Sequence, residues 1–184
     1  MTEWRDATAF FLTPGADDDE QWLRGLSGRI DLRSEGLIFD EHSSILNCEW
    51  AGLDCRAQLI NGPAGKTLVI SYFARDFREQ VAAGSERWRD FCRLFARACL
   101  ELDPAVAVAL GTISDDVLSD VRDFDSLVAE GDAAGLQDRW HALLYLSPAL
   151  AQRAELSPAA APLNRPLPNG GRVSWDWRYD DFPE

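Results

Sequence analysis

The clearest pattern in the chain lies between residues 85 and 102, where Trp88, Phe91, Cys92, Phe95, Cys99 and Leu102 recur at intervals of three and four. Arg89, Asp90, Arg93, Arg97 and Glu101 fall off that stripe. The spacing predicts an amphipathic helix with Ser85 as its N-cap, Glu86 in the first turn where the helix dipole favours an acid, and Asp103-Pro104 as its stop. Near the end of the chain the period shortens to two. Val173, Trp175, Trp177 and Tyr179 alternate with Ser174, Asp176, Arg178 and Asp180, which predicts a strand entered through the turn Asn169-Gly170-Gly171.

Between residues 29 and 73 short apolar or alternating segments are separated by Ser34-Glu35-Gly36, Glu41-His42-Ser43, Ala51-Gly52 and Asn61-Gly62-Pro63-Ala64-Gly65. Strands at 29–32, 37–40, 45–50, 54–60 and 67–73, joined by tight turns, make an antiparallel meander. Residues 7–13 read as a short buried strand. Asp17 to Glu20 open a short helix carrying Trp22, Leu23 and Leu26, and residues 105–110 (AVAVAL) suit a buried strand. Ser114 caps a second helix with Val117, Leu118, Val121 and Phe124 on its apolar side. Residues 140–146 read as a strand, and Ser147-Pro148 opens a helix to about Leu156. Residues 157–169, with four Pro and three Ala, form an internal connector. The expectation is a single α+β domain spanning residues 1–184. Its antiparallel sheet of five or more strands is covered chiefly by the 85–102 helix, which sets Trp88, Phe91, Phe95 and Leu102 against Leu59, Val69 and Ile70.

Composition fits one core: 184 residues with 46% hydrophobic positions. The longest apolar runs fall far short of the ~20 residues that span a bilayer, and Met1 to Asp6 lacks the basic, apolar and small-residue parts of a signal peptide. A cytoplasmic protein is expected. Charge narrows the partners, because the net −13 disfavours nucleic acid and anionic membranes. The most basic stretch, Arg75 to Arg97, sets six Arg against only four acids, whereas Glu101 to Asp138 holds ten acids and one base, Arg122.

Several motifs carry candidate chemistry. Gly62-Pro63-Ala64-Gly65-Lys66-Thr67 resembles the end of a phosphate-binding loop, but Ile60 stands where the first glycine belongs and a strand follows where a helix is needed, so a hairpin turn is expected. Cys48, Cys55, Cys92 and Cys99 match neither zinc nor redox spacing and read as small buried hydrophobes. His42 and His141 are too few for a three-His metal site, and neither has a nucleophile motif beside it. Asp116, Asp120 and Asp123 share one helical face, open to solvent, to a basic partner or to a cation. Trp175 and Trp177, flanked by Asp176, suit either the core or an anchor for an Arg- or Lys-rich partner.

A small acidic domain with an antiparallel meander, a covering helix at 85–102 and a Trp-bearing C-terminal strand (SWDWRY) resembles the bacterial immunity proteins paired with polymorphic or contact-dependent toxins. The segment WHALLYLSP is loosely similar to Trp-Leu-Ser/Gly-Pro stretches in such proteins. The resemblance implies an inhibitor that binds a cognate toxin domain and blocks its active site, a domain expected to be basic where the toxin acts on nucleic acids; the residue spacings themselves predict no catalysis, cofactor or metal. The docking surface expected from the residues themselves comprises Asp115, Asp116, Asp120 and Asp123 together with Trp175, Asp176 and Trp177. Two alternatives stay open: a small-ligand-binding or regulatory domain, and a small enzyme pairing Cys48 or Cys55 with His42.

Overall fold

The computed structural model describes residues 5–12, 18–40, 43–82, 85–110, 117–139, 141–154 and 164–175. Among these, nine strands join in one antiparallel sheet and six α-helices flank it, a single α+β domain. The strands are β1 (Arg5–Leu12), β2 (Leu32–Asp40), β3 (Ser43–Trp50), β4 (Leu53–Gly62), β5 (Gly65–Phe73), β6 (Val106–Leu110), β7 (Leu143–Leu146), β8 (Asn164–Pro166) and β9 (Arg172–Trp175). The helices are α1 (Asp19–Arg24), α2 (Ala74–Asp76), α3 (Ser85–Leu102), α4 (Val117–Glu130), α5 (Ala133–Asp138) and α6 (Pro148–Arg153). The spatial order is β2-β3-β4-β5-β1-β6-β7-β9-β8. The expected meander is therefore present as β2 to β5, and β1 inserts beside β5 to join it to a second wing.

Both faces of the sheet are covered, which explains why its central strands read as continuous apolar runs. One face, with Phe10, Leu68, Ile70, Tyr72 and Tyr145, packs beneath α1 and α3. Phe91 of α3 lies at the centre of an aromatic cluster, with ring centroids 5.4 Å from Trp50, 5.2 Å from Phe77 and 6.0 Å from Trp88. The other face, with Ala9, Phe11, Val69, Val108 and Leu144, packs beneath α4, α5 and α6 through Phe124, Leu136 and Leu150. Val69 therefore belongs to the second layer instead of lying under α3, because it alternates with Leu68 and Ile70 along β5. Trp88, Phe91 and Phe95 are buried as expected, while Leu102 is half-buried at the helix end.

Three local differences have clear causes. The segments 29–32 and 37–40 are not two strands around a turn. A 3₁₀ turn at Leu26–Gly28 leads into the single strand β2, whose register steps between Ser34 and Gly36. Glu35 is the extra residue of a β-bulge, so its polar triplet bends the strand without ending it. Residues 164–166, inside the expected connector, pair with β9 as a short edge strand in which Pro166 needs no inward donor. Finally, α2 and the π-helical turn Phe77–Ala82 occupy a stretch without an expected element, although Ala74, Phe77 and Val81 have helical spacing and all three are buried.

Candidate functional site

The acidic layer is built on α4. Val121 and Phe124 seat this helix on the sheet, and helical spacing from Val121 brings Asp125 to the same inward face, where it is 4% exposed. Its carboxylate Oδ1 accepts the Ala64 N–H at 3.1 Å, tying α4 to the β4–β5 turn. Burial raises the Asp125 pKa and the Ala64 hydrogen bond lowers it, burial being the larger influence. This contact also settles the role of the Gly62-Pro63-Ala64-Gly65 segment. Gly62 and Gly65 pair across a two-residue hairpin turn, and the Ala64 amide that a phosphate would use already receives a carboxylate.

On the outer side of the layer Asp120 is half-buried, while Asp123, Glu130, Asp132 and Asp138 are exposed. Asp123 pairs with Arg139 at 3.3 Å, and Asp132 caps α5 by accepting the Gly135 N–H at 2.9 Å. From Val117 to Arg139 the only basic side chains are Arg122 and Arg139. The packed α4–α5 pair thus presents several carboxylates to solvent, an arrangement suited to long-range attraction of a basic surface.

Of the residues expected to dock a partner, Asp120 and Asp123 lie on this layer, and Trp175 does not. Trp175 is 8% exposed and belongs to the core cluster on the α1–α3 side of the sheet, directly across the ladder from Leu143. The sheet therefore separates it from Asp120 and Asp123. Its period-two pattern gives the strand as far as Trp175, the rest of the expected alternation lying outside the described residues, but only the covering layer decides whether such a face is core or surface. Asp115, Asp116, Asp176 and Trp177 lie outside the described residues.

The thiols are sealed. Cys48, Cys55, Cys92 and Cys99 are free and buried. Burial, with a smaller contribution from Glu35, pushes the Cys48 thiol up to about 12; burial also raises the other three. The Cys48 thiol points to the Cys55 carbonyl at 3.8 Å, and the Cys55 thiol to the Leu53 carbonyl at 3.1 Å. Thiolates are the reactive form, so neither cysteine is primed for attack. His42 lies outside the described residues; His141 Nδ1–H donates to the Arg139 carbonyl at 2.7 Å. Among the described residues no three His, Cys, Asp or Glu side chains are placed to hold a metal ion, and no helix is long and apolar enough to cross a membrane.

A cleft of about 280 Å³ lies where the β4–β5 hairpin meets α4, lined by Asn61, Thr67, Arg122, Asp125 and Ser126 among others. Sequence spacing marks Asp125 as inward-facing, but only the structure brings the hairpin to it. Compared with protein-family models, curated proteins and solved structures, the chain matches none of them.

Proposed function

We propose that the chain is a non-catalytic protein-binding inhibitor of the immunity-protein kind, which neutralises a cognate, basic toxin domain. The observation that carries this reading is the α4–α5 surface, where Asp120, Asp123, Glu130 and Asp138 stand on helices anchored to the sheet and only two Arg interrupt the negative charge. Carboxylates at such a rim chiefly raise the rate of encounter with a basic partner, and a preordered layer lowers the entropic cost of docking. The buried, protonated thiols favour this reading over the enzyme alternative built on Cys48 or Cys55.

The test is binding kinetics between this chain and the product of its neighbouring gene at low and moderate salt. Replacing Asp120 and Asp123 by Asn should slow association and flatten its salt dependence without lowering the melting temperature. Unaltered kinetics in that variant would remove α4 from the interface, and the absence of binding would withdraw the assignment of a neighbouring-gene partner.

A further inference from the structure

The cleft between the β4–β5 hairpin and α4 has no part in the reading above. At about 280 Å³ it falls just short of the roughly 300 to 1,000 Å³ that take drug-sized ligands, which sets its occupant at the scale of a small metabolite. Its walls are mixed. Ile60 of β4 and Val121 of α4 supply apolar surface, while Thr67 of β5 and Asp125 of α4 supply polar groups from positions that are 3% and 4% exposed. Arg122, also in the lining, is exposed.

Buried polar groups are ordinarily satisfied, and two in this cleft keep unused capacity. The Thr67 hydroxyl has no hydrogen-bond partner among the described residues. Asp125 holds the Ala64 N–H through Oδ1 alone. Its Oδ2 lies against Gly62, another residue of the lining, and accepts no hydrogen bond among the described residues.

Charge is the second observation. Arg122 and Asp125 are three residues apart on α4, a spacing at which opposite charges are neighbours and commonly pair. They do not pair here, and among the described residues no ion pair includes either one. The cleft therefore brings an unpaired guanidinium and an unpaired carboxylate oxygen to one small volume with apolar walls. Burial already penalises the Asp125 carboxylate, so an ammonium group against Oδ2 would supply a counter-charge that the chain does not. A lone anion in the cleft would meet Asp125 and a lone cation would meet Arg122; a molecule carrying both charges suits the two together.

We infer that this cleft binds a free α-amino acid with a short apolar side chain, its ammonium against Asp125 Oδ2 and the Thr67 hydroxyl, its carboxylate on Arg122 and its side chain between Ile60 and Val121. This goes beyond the inhibitor reading and does not depend on it, since Asp120 and Asp123, the α4 carboxylates assigned to partner docking, do not line the cleft.

Isothermal titration calorimetry of the full chain with L-valine and L-leucine, and with the two halves of valine, isobutylamine and 3-methylbutanoate, tests the assignment. At least one of the amino acids should bind saturably, and each half should bind about tenfold or more weakly than valine, because it loses one charge-assisted contact. Arg122→Gln should weaken binding about tenfold, and Arg122→Lys should fall between, because a lysine offers charge without the planar fork. Asp120→Asn/Asp123→Asn should leave the titration unchanged, which separates this site from the docking surface on α4. If Arg122→Gln loses the wild-type near-ultraviolet circular dichroism, Asp125→Asn replaces it, since it keeps an oxygen for the Ala64 N–H while removing the charge, and it should weaken binding by a similar factor. No saturable binding of either amino acid, equal binding of valine and its halves, or an unchanged titration in the folded Arg122 or Asp125 variant would each overturn the assignment.

Discussion

The carboxylate of Asp125 stands in the volume that any side chain at Gly62 would need: a Cβ added there would fall 1.8 Å from Oδ2. Glycine at position 62 is thus required by a close approach between a hairpin and a helix that lie 63 residues apart in sequence. Gly62→Ala should displace the carboxylate, break its hydrogen bond to Ala64 and destabilise the fold by about 1 to 3 kcal/mol. Asp125→Ala should restore part of the loss in the double variant, since the two substitutions act on one contact. Urea midpoints for the four proteins form the complete cycle; a wild-type midpoint for Gly62→Ala would show that the turn moves freely.

Asp6 pairs across the β1–β5 ladder with Tyr72, on the sheet face where the Thr8 and Tyr72 hydroxyls lie 3.2 Å apart. It is 2% exposed, and its Oδ2 has no hydrogen-bond partner among the described residues. Burial pushes its pKa from 3.8 up to about 7, against a smaller pull downward from Arg78. Protonation is therefore easier in the folded chain than in the unfolded one. The destabilising contribution is small below pH 4, grows as pH rises from about 4 to 7, and is complete above that, at about 4 kcal/mol. Asp6→Asn should accordingly raise the urea midpoint markedly at pH 8 and hardly at pH 4. Parallel stability profiles for the two proteins across that range would contradict a raised pKa.

The β3–β4 turn holds Ala51 at φ 56° and Gly52 at φ 74°. Two left-handed residues between paired Trp50 and Leu53 match the type I′ hairpin, in which Asn-Gly is the favoured sequence. Alanine is strained at the first position, whereas asparagine tolerates it. Ala51→Asn should raise stability by about 0.5 to 1 kcal/mol. Differential scanning calorimetry would read this as a higher melting temperature, and a fall would place the strain elsewhere.

All four cysteines should react with Ellman's reagent only as the domain opens, because each is buried and its thiolate is disfavoured. At pH 8 the labelling of native protein should be slow, and added denaturant should release all four together. A single thiol labelled in the first seconds would restore the cysteine-enzyme alternative.

Much of the local structure was legible in the sequence because its determinants are local. The stripe from Trp88 to Leu102 and the stop at Asp103-Pro104 gave α3 directly, and the paired glycines around Pro63-Ala64 gave a hairpin. Strand order was not legible, since β1 finds β5 and β6 only through pairing distant in sequence. The same limit applies to faces. Val69 and Ile70 are equally apolar, and which one meets α3 depends on where the second helical layer lies. The candidate surface was half visible: Asp120 and Asp123 follow from helical spacing, but nothing near Trp175 tells that its face of the sheet belongs to the core.

Placing the first strand in the middle of the sheet has a consequence for how the chain comes to order. β1 is paired over eight positions with β5 and five with β6, partners that lie far later in the sequence. The β2–β5 meander has a local route to assembly, but until β1 docks, its β5 edge and the β6 edge of the other wing both expose unpaired backbone, the surface on which misassembly begins. Closure across such long spans is slow. β1 thus joins the two wings, and its loss would leave the β5 and β6 edges unpaired together.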